Sequence, residues 1–211
     1  MVGHGDQSGT RLCRRYRIST LLPDGSILDR VEIAPAEPPF ESAFAAMGAG
    51  CMIATPTGSI AAIDLMPGTT VCTAQGATAR VLWVGSVTIH PAEAEAGGSC
   101  LFRVVAGAFG PQTPETDLLL GQGALLATGP AGPLERARDI VDGDSIIATR
   151  PISPVSLHQV VLDRPGLLKV SGLYLAPGKT DPGTRRFRRA EDRRRFAELF
   201  AGLCLSGMNA A

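Results

Sequence analysis

Gly50-Cys51-Met52-Ile53-Ala54-Thr55-Pro56-Thr57-Gly58, continued by Ile63-Asp64-Leu65-Met66-Pro67-Gly68-Thr69-Thr70-Val71, sets the reading of the chain. Its apolar runs are short, and Pro56-Thr57-Gly58 and Met66-Pro67-Gly68 cut them with residues that favour turns. Short apolar runs bounded by Pro and Gly read as strands. The rhythm persists downstream. Val71-Cys72-Thr73 ends at Gln75-Gly76, and residues 79–85 and 87–90 read as two further strands. Residues 101–106 read as another. Residues 117–120 and 125–128 flank Gly121-Gln122-Gly123, residues 134–141 read as partly helical, and Asp142-Gly143-Asp144 turns into residues 145–148. Residues 155–162 and 167–173 close the series. Turns this frequent predict a mainly β chain.

Upstream, Arg15 to Leu21 and Ile27 to Ile33 each alternate apolar with polar, and Pro23-Asp24-Gly25 between them is a turn. That pattern predicts a β-hairpin with one face covered, packed on the rest or paired with a sheet edge. A Pro-rich stretch, residues 34–39, reads as a stiff linker, and residues 40–46 as one or two helical turns. At the other end Phe196, Leu199, Phe200 and Leu203 fall at i, i+3, i+4 and i+7, the spacing of an amphipathic helix. The organisation read from the sequence is therefore 1–39 hairpin and linker, 40–180 β domain, and 181–211 Arg-rich helical tail.

Composition excludes several classes. The 211 residues carry 20 basic and 20 acidic side chains, so wholesale nucleic-acid binding is not expected. Aromatics are 5% of the chain, too few for a stacking platform, and no sequence-specific DNA-binding motif is present. No apolar run approaches the roughly 20 residues of a transmembrane segment. The polar start, Met1 to Thr10, lacks a signal-peptide core, so a cytoplasmic location is expected. Five scattered Cys show no metal spacing, so neither a disulfide framework, a metal nor a cofactor is expected.

The quoted stretch resembles the opening of the Hint (hedgehog/intein) domain in its bacterial form, G-T-x-I-x-T-P-x-G followed by V-x-D/E-L-x-P-G-D-x-V. Cys51 stands in the Thr place and Thr69 in the Asp place. Ala106-Gly107-Ala108-Phe109-Gly110, Pro114 and Asp117-Leu118-Leu119-Leu120 are similar to A-G-A-L-G … P-x-x-D-L-x-L. Val81 to Gly85 resembles V-x-W-I-G. Asp142-Gly143 with Ile146, then Leu162-Asp163-Arg164 and Gly172-Leu173, resemble the later blocks. The resemblance implies a horseshoe of short strands and an enzyme that rearranges its own backbone. A Cys or Ser would attack the preceding carbonyl, with a His to protonate the leaving nitrogen and donors for the oxyanion.

Carried over position by position, that machinery is missing. The nucleophile place holds Ala46. The central His place holds Ala124. The block H-x-x-x-D-R-H becomes Gln159 to Pro165, so both its His are replaced while Asp163 and Arg164 remain. Met208-Asn209-Ala210-Ala211 lacks the His and the following nucleophile of a splicing terminus. The resemblance with these vacancies predicts a pseudoenzyme, a structural or interaction module that a protein partner uses.

Two alternatives stay open. In one, Cys51 is a relocated nucleophile served by His158 or Asp163, and the chain cleaves itself before Cys51; the favoured reading of Cys51 against this is a small buried residue in place of a strand Thr. His158 reads as a slipped catalytic His or a core His, and Asp163 as half of a structural pair with Arg164. In the other, Arg185, Arg186, Arg188, Arg189, Arg193, Arg194 and Arg195 contact an acidic partner or anionic surface rather than forming a solvated tail. His4 and His90 read as incidental, and Asp142 with Asp144 as a turn rather than a calcium loop.

Overall fold

The two alternating runs near the N-terminus pair as a hairpin, β1 (Cys13–Leu21) with β2 (Ile27–Pro35), in the computed structural model, which describes residues 11–92 and 100–203. His4, the acidic loop beyond Ala92, Cys204 and the terminal Asn209 lie outside the described residues. Asp24 makes the turn by accepting the Ser26 N–H and hydroxyl on Oδ1, and Gly25 takes φ +86°.

The hairpin is not free-standing. β1 pairs antiparallel with β7 (Thr78–Ile89), from Tyr16 opposite Val87 to Thr20 opposite Trp83. On its other side β7 pairs with β13 (Val155–Leu162), which reaches β3 (Met47–Gly48) and then β9 (Leu118–Leu120), β8 (Leu101–Val104) and β12 (Ile146–Thr149). With β6 (Thr70–Cys72) on β7, these make a nine-stranded sheet. A second, six-stranded sheet runs β11 (Glu135–Arg136), β10 (Leu125–Ala127), β15 (Leu173–Leu175), β14 (Leu168–Val170), β4 (Met52–Thr55), β5 (Gly58–Ala61). All the pairings are antiparallel, and the chain is mainly β as expected.

Two strand assignments change. Residues 79–85 and 87–90, read as two strands, fall in one continuous β7 that ends at Ile89. Its register against β13 shifts between Val161, opposite Trp83, and Leu162, opposite Val81, so Leu82 is an extra residue. That bulge inverts the alternation. Ala79 and Val81 face one core, whereas Trp83, Val87 and Ile89 face another. Residues 167–173, read as one strand, are a hairpin turned at Ser171 and Gly172, both with positive φ. The strands flanking Gly121-Gln122-Gly123 form as read, and β9 joins one sheet while β10 joins the other.

One core lies between the sheets, with Val81, Val104, Leu118, Leu120, Val160 and Leu162 meeting Ile53, Leu126, Val170, Leu173 and Leu175. The second lies on the opposite face of the larger sheet. There the hairpin, α1 (Pro38–Phe44) and the C-terminal α2 (Ala190–Glu198) come together. Seven rings build it: Tyr16, Phe40, Phe44, Trp83, Phe187, Phe196 and Phe200. The amphipathic spacing of the tail thus covers the protein's own sheet. The acids Glu191 and Asp192 sit in the first turn of α2, the favourable end of its dipole. Arg30 and the Trp83 indole donate to the carbonyls where it ends, Arg30 to Glu198, Leu199 and Ala201 and Trp83 to Leu199. No helix among the described residues is long and apolar enough to cross a membrane.

Gly85 marks how closely β7 and α1 approach. A Cβ there would lie 2.6 Å from the Phe44 ring and overlap that of Trp83. Gly85→Ala is expected to lower stability by about 1–3 kcal/mol, as overpacking does. A urea midpoint equal to wild type would show that both rings yield freely.

Candidate functional site

The peptide to which the sequence resemblance assigns the chemistry joins Ala45 to Ala46, directly after α1. Both residues are buried. Ala45 O accepts from Gly123 N at 2.7 Å, Ala46 N donates to His158 O at 3.1 Å, and Ala46 O accepts from Gly121 N at 3.0 Å. The two glycines can approach because they lack side chains. A Cβ on Gly121 would collide with Ala45 O, and one on Gly123 with Ser42 O. Their alternation in the sequence is the signal that sequence reasoning passed over as an ordinary turn.

Around this peptide the geometry keeps a donor but no nucleophile. Gly123 N–H is aimed at the carbonyl where an oxyanion would develop. The Ala46 methyl group has no lone pair to attack it. Ala124 is buried in the core between the sheets. Gln159, in β13, is buried, and its Oε1 accepts from Val160 N at 2.9 Å. A neutral amide there cannot deliver a proton as an imidazolium does. Pro165 is exposed at the far end of the strand.

Among the described residues no hydrogen bond links the candidate residues Cys51, His158 and Asp163. Cys51 is buried in the inter-sheet core, and its Sγ donates to Leu119 O at 3.5 Å. Burial pushes its thiol up to about 11, which leaves about one thiolate in ten thousand at pH 7. His158 alternates with Gln159, so its ring points to the other side of β13. Both ring nitrogens are buried without a hydrogen-bond partner among the described residues, and burial lowers its pKa, favouring neutral imidazole. Asp163 lies about 16 Å further along the strand direction. Its Oδ1 accepts from Arg80 N, and its carboxylate pairs with Arg164 at 3.0 Å. The Asp163–Arg164 pair and Arg80 N–H hold the carboxyl below its usual range, against a burial effect that raises it.

Of the C-terminal arginines, two bond back to the fold, Arg185 half-buried and Arg195 exposed. Arg185 donates to Pro39 O and Ser42 Oγ at 2.9 and 2.7 Å, and its guanidinium stacks over Phe196 at 4.8 Å. Arg195 donates to Ile33 O. Arg189 pairs with Glu191 at the surface, and Arg186, Arg188, Arg193 and Arg194 are exposed. Asp142 accepts three backbone N–H groups, from Asp144, Ser145 and Ile146, on one oxygen, which is the geometry of a turn.

A family model described as a Hint domain matches residues 45–175, more than half of the 211-residue chain. Among solved structures the chain is similar to two crystal structures of the MchDnaB-1 intein, both at 14% identity. Their TM-scores are 0.43 and 0.41; the matches cover 64% and 63% of this chain and 100% of each of those. It is also similar to the Msm DnaB1 intein splicing domain bound with zinc, at 13% identity and TM-score 0.38, over 58% of this chain and 93% of that one. No curated protein matches.

Proposed function

This chain belongs to the Hint domain family, and we propose that it is a non-catalytic member, a structural or interaction module that has kept the fold without self-splicing or autoproteolysis. The observation that carries this reading is the Ala45–Ala46 peptide. Its carbonyl still faces the Gly123 N–H, yet Ala46 supplies no nucleophile, and Ala124, Gln159 and Pro165 supply no proton donor. Fold and chemistry are separable, because packing between the sheets does not depend on these side chains' reactivity. The bond of Cys51 Sγ to the Leu119 carbonyl instead of a base, and burial that keeps the thiol protonated, count against the relocated-nucleophile alternative.

The test is intact mass of the full chain before and after incubation with dithiothreitol or hydroxylamine. One unchanged mass is expected in every condition. Fragments separated at Gly50–Cys51 would make Cys51 a nucleophile, and fragments separated at Ala45–Ala46 would revive the ordinary site; either sinks the reading. Cys51→Ala is expected to leave the mass pattern unaltered.

A further inference from the structure

A cleft of about 860 Å³ opens beside the silent site, and its lining includes Ser42 of α1, Gln122, Gly123 and Gln159. Six lining side chains are cationic: Arg136, Arg138, Lys179, Arg185, Arg186 and Arg188. One is acidic, Glu37, and it is already engaged at 2.9 Å by Arg11, which is not part of the lining. Arg138 has a carboxylate neighbour in Asp139 at 3.2 Å. The other five cations make no ion pair among the described residues. Arg185 sits deepest in this charge. Its partners are a backbone carbonyl and a hydroxyl, its Nε is buried without a partner, and the nearest charge that perturbs it is another cation, Arg136. Like charges collected in a concave, partly dehydrated site repel one another, and the chain has no net charge to account for them.

An anion relieves that repulsion, and the residue types say which kind. Guanidinium forks match oxyanions with two parallel donors each. Five unpaired cations exceed what one carboxylate balances, and the volume lies in the range of small-molecule pockets. We propose that this cleft binds a small soluble ligand bearing clustered phosphate groups, held by Arg136, Lys179, Arg186 and Arg188 around Arg185. The proposal rests on the non-catalytic reading, in which the space beside Ala45–Ala46 serves binding and not chemistry. Gln122, Gln159 and Ser42 then supply neutral polar contacts at the cleft's inner wall.

The experiment is calorimetric titration of the full chain with inorganic tripolyphosphate at low salt. Saturable one-to-one binding that weakens as salt rises is expected. The double variant Arg136→Ser with Arg188→Ser should weaken it by roughly tenfold or more while the thermal midpoint stays at wild type. The double variant Arg193→Ser with Arg194→Ser, outside the cleft, should bind within about twofold of wild type. Absence of saturable heat, or equal losses in both doubles, would overturn the proposal in favour of diffuse surface charge. So would sedimentation with anionic phospholipid vesicles that tripolyphosphate fails to compete. Intact mass of the same samples keeps the two readings apart: a cleaved chain that still binds overturns only the non-catalytic reading, and an uncut chain that binds nothing overturns only this one.

Discussion

Replacing Phe196 by alanine is expected to cost about 3–5 kcal/mol and to lower the thermal midpoint by about 10 °C or more. The side chain is fully buried. Its ring lies 5.8 Å from Phe40, 5.4 Å from Phe187 and 5.1 Å from Phe200, with the Arg185 guanidinium above it. Truncation would open a cavity bounded by α1 and α2, neither of which is long enough to hold a helical conformation alone. Scanning calorimetry checks it, and a loss below about 1 kcal/mol would show that α2 is peripheral. The expectation has a consequence for binding experiments. Removing the chain beyond Lys179 takes away Phe187, Phe196, Leu199 and Phe200, and so uncovers Trp83 and Phe44. Loss of binding after such a truncation reports the core as much as the arginines, whereas paired substitutions of exposed arginines leave the core intact.

The elements legible in the sequence are those fixed by local chemistry. Pro23-Asp24-Gly25 announced the hairpin because an Asp and a Gly make that turn unaided. Phe196 and Phe200 announced a covered helix face because helical spacing is a local property. What stayed hidden depends on residues far apart. The extra residue Leu82 breaks the period of β7 only because β13 sets the register against it. Ser171-Gly172 carried the signal of a tight turn, yet the apolar residues on both sides read as one run. At the site, the replaced positions Ala46, Ala124 and Gln159 were legible through the family pattern. The closeness of Gly121 and Gly123 to the Ala45 carbonyl was not, since it requires the two sheets to part between β9 and β10. The cleft was least legible of all. Arg136 and Arg185 are separated by most of the C-terminal strands, and only the folded chain sets their charges side by side.

Glu41→Ala is expected to be as damaging as Phe196→Ala, for an electrostatic reason. Glu41 lies in α1 and accepts from Arg14 Nε of β1 at 2.6 Å, both side chains buried. Desolvating two charges is costly, and their mutual attraction offsets it only while both are present. Taking away the carboxylate leaves a buried guanidinium without this partner, at a cost of about 3–5 kcal/mol. Converting both together, Arg14→Met with Glu41→Leu, removes the charges with the bond and should recover most of that loss. Chemical denaturation of the two variants decides it: a double variant as unstable as Glu41→Ala alone would assign the loss to packing and not to charge. The pair also bears on the site. Glu41 O accepts from Ala45 N at 2.9 Å, so the carboxylate that ties α1 to the hairpin belongs to the residue whose backbone seats the Ala45 carbonyl beneath Gly123. If the pair positions this peptide as well as stabilising the fold, amide exchange at Gly123 should quicken in Glu41→Ala and stay slow in the apolar double. Equal protection in both would confine the pair to a stabilising role.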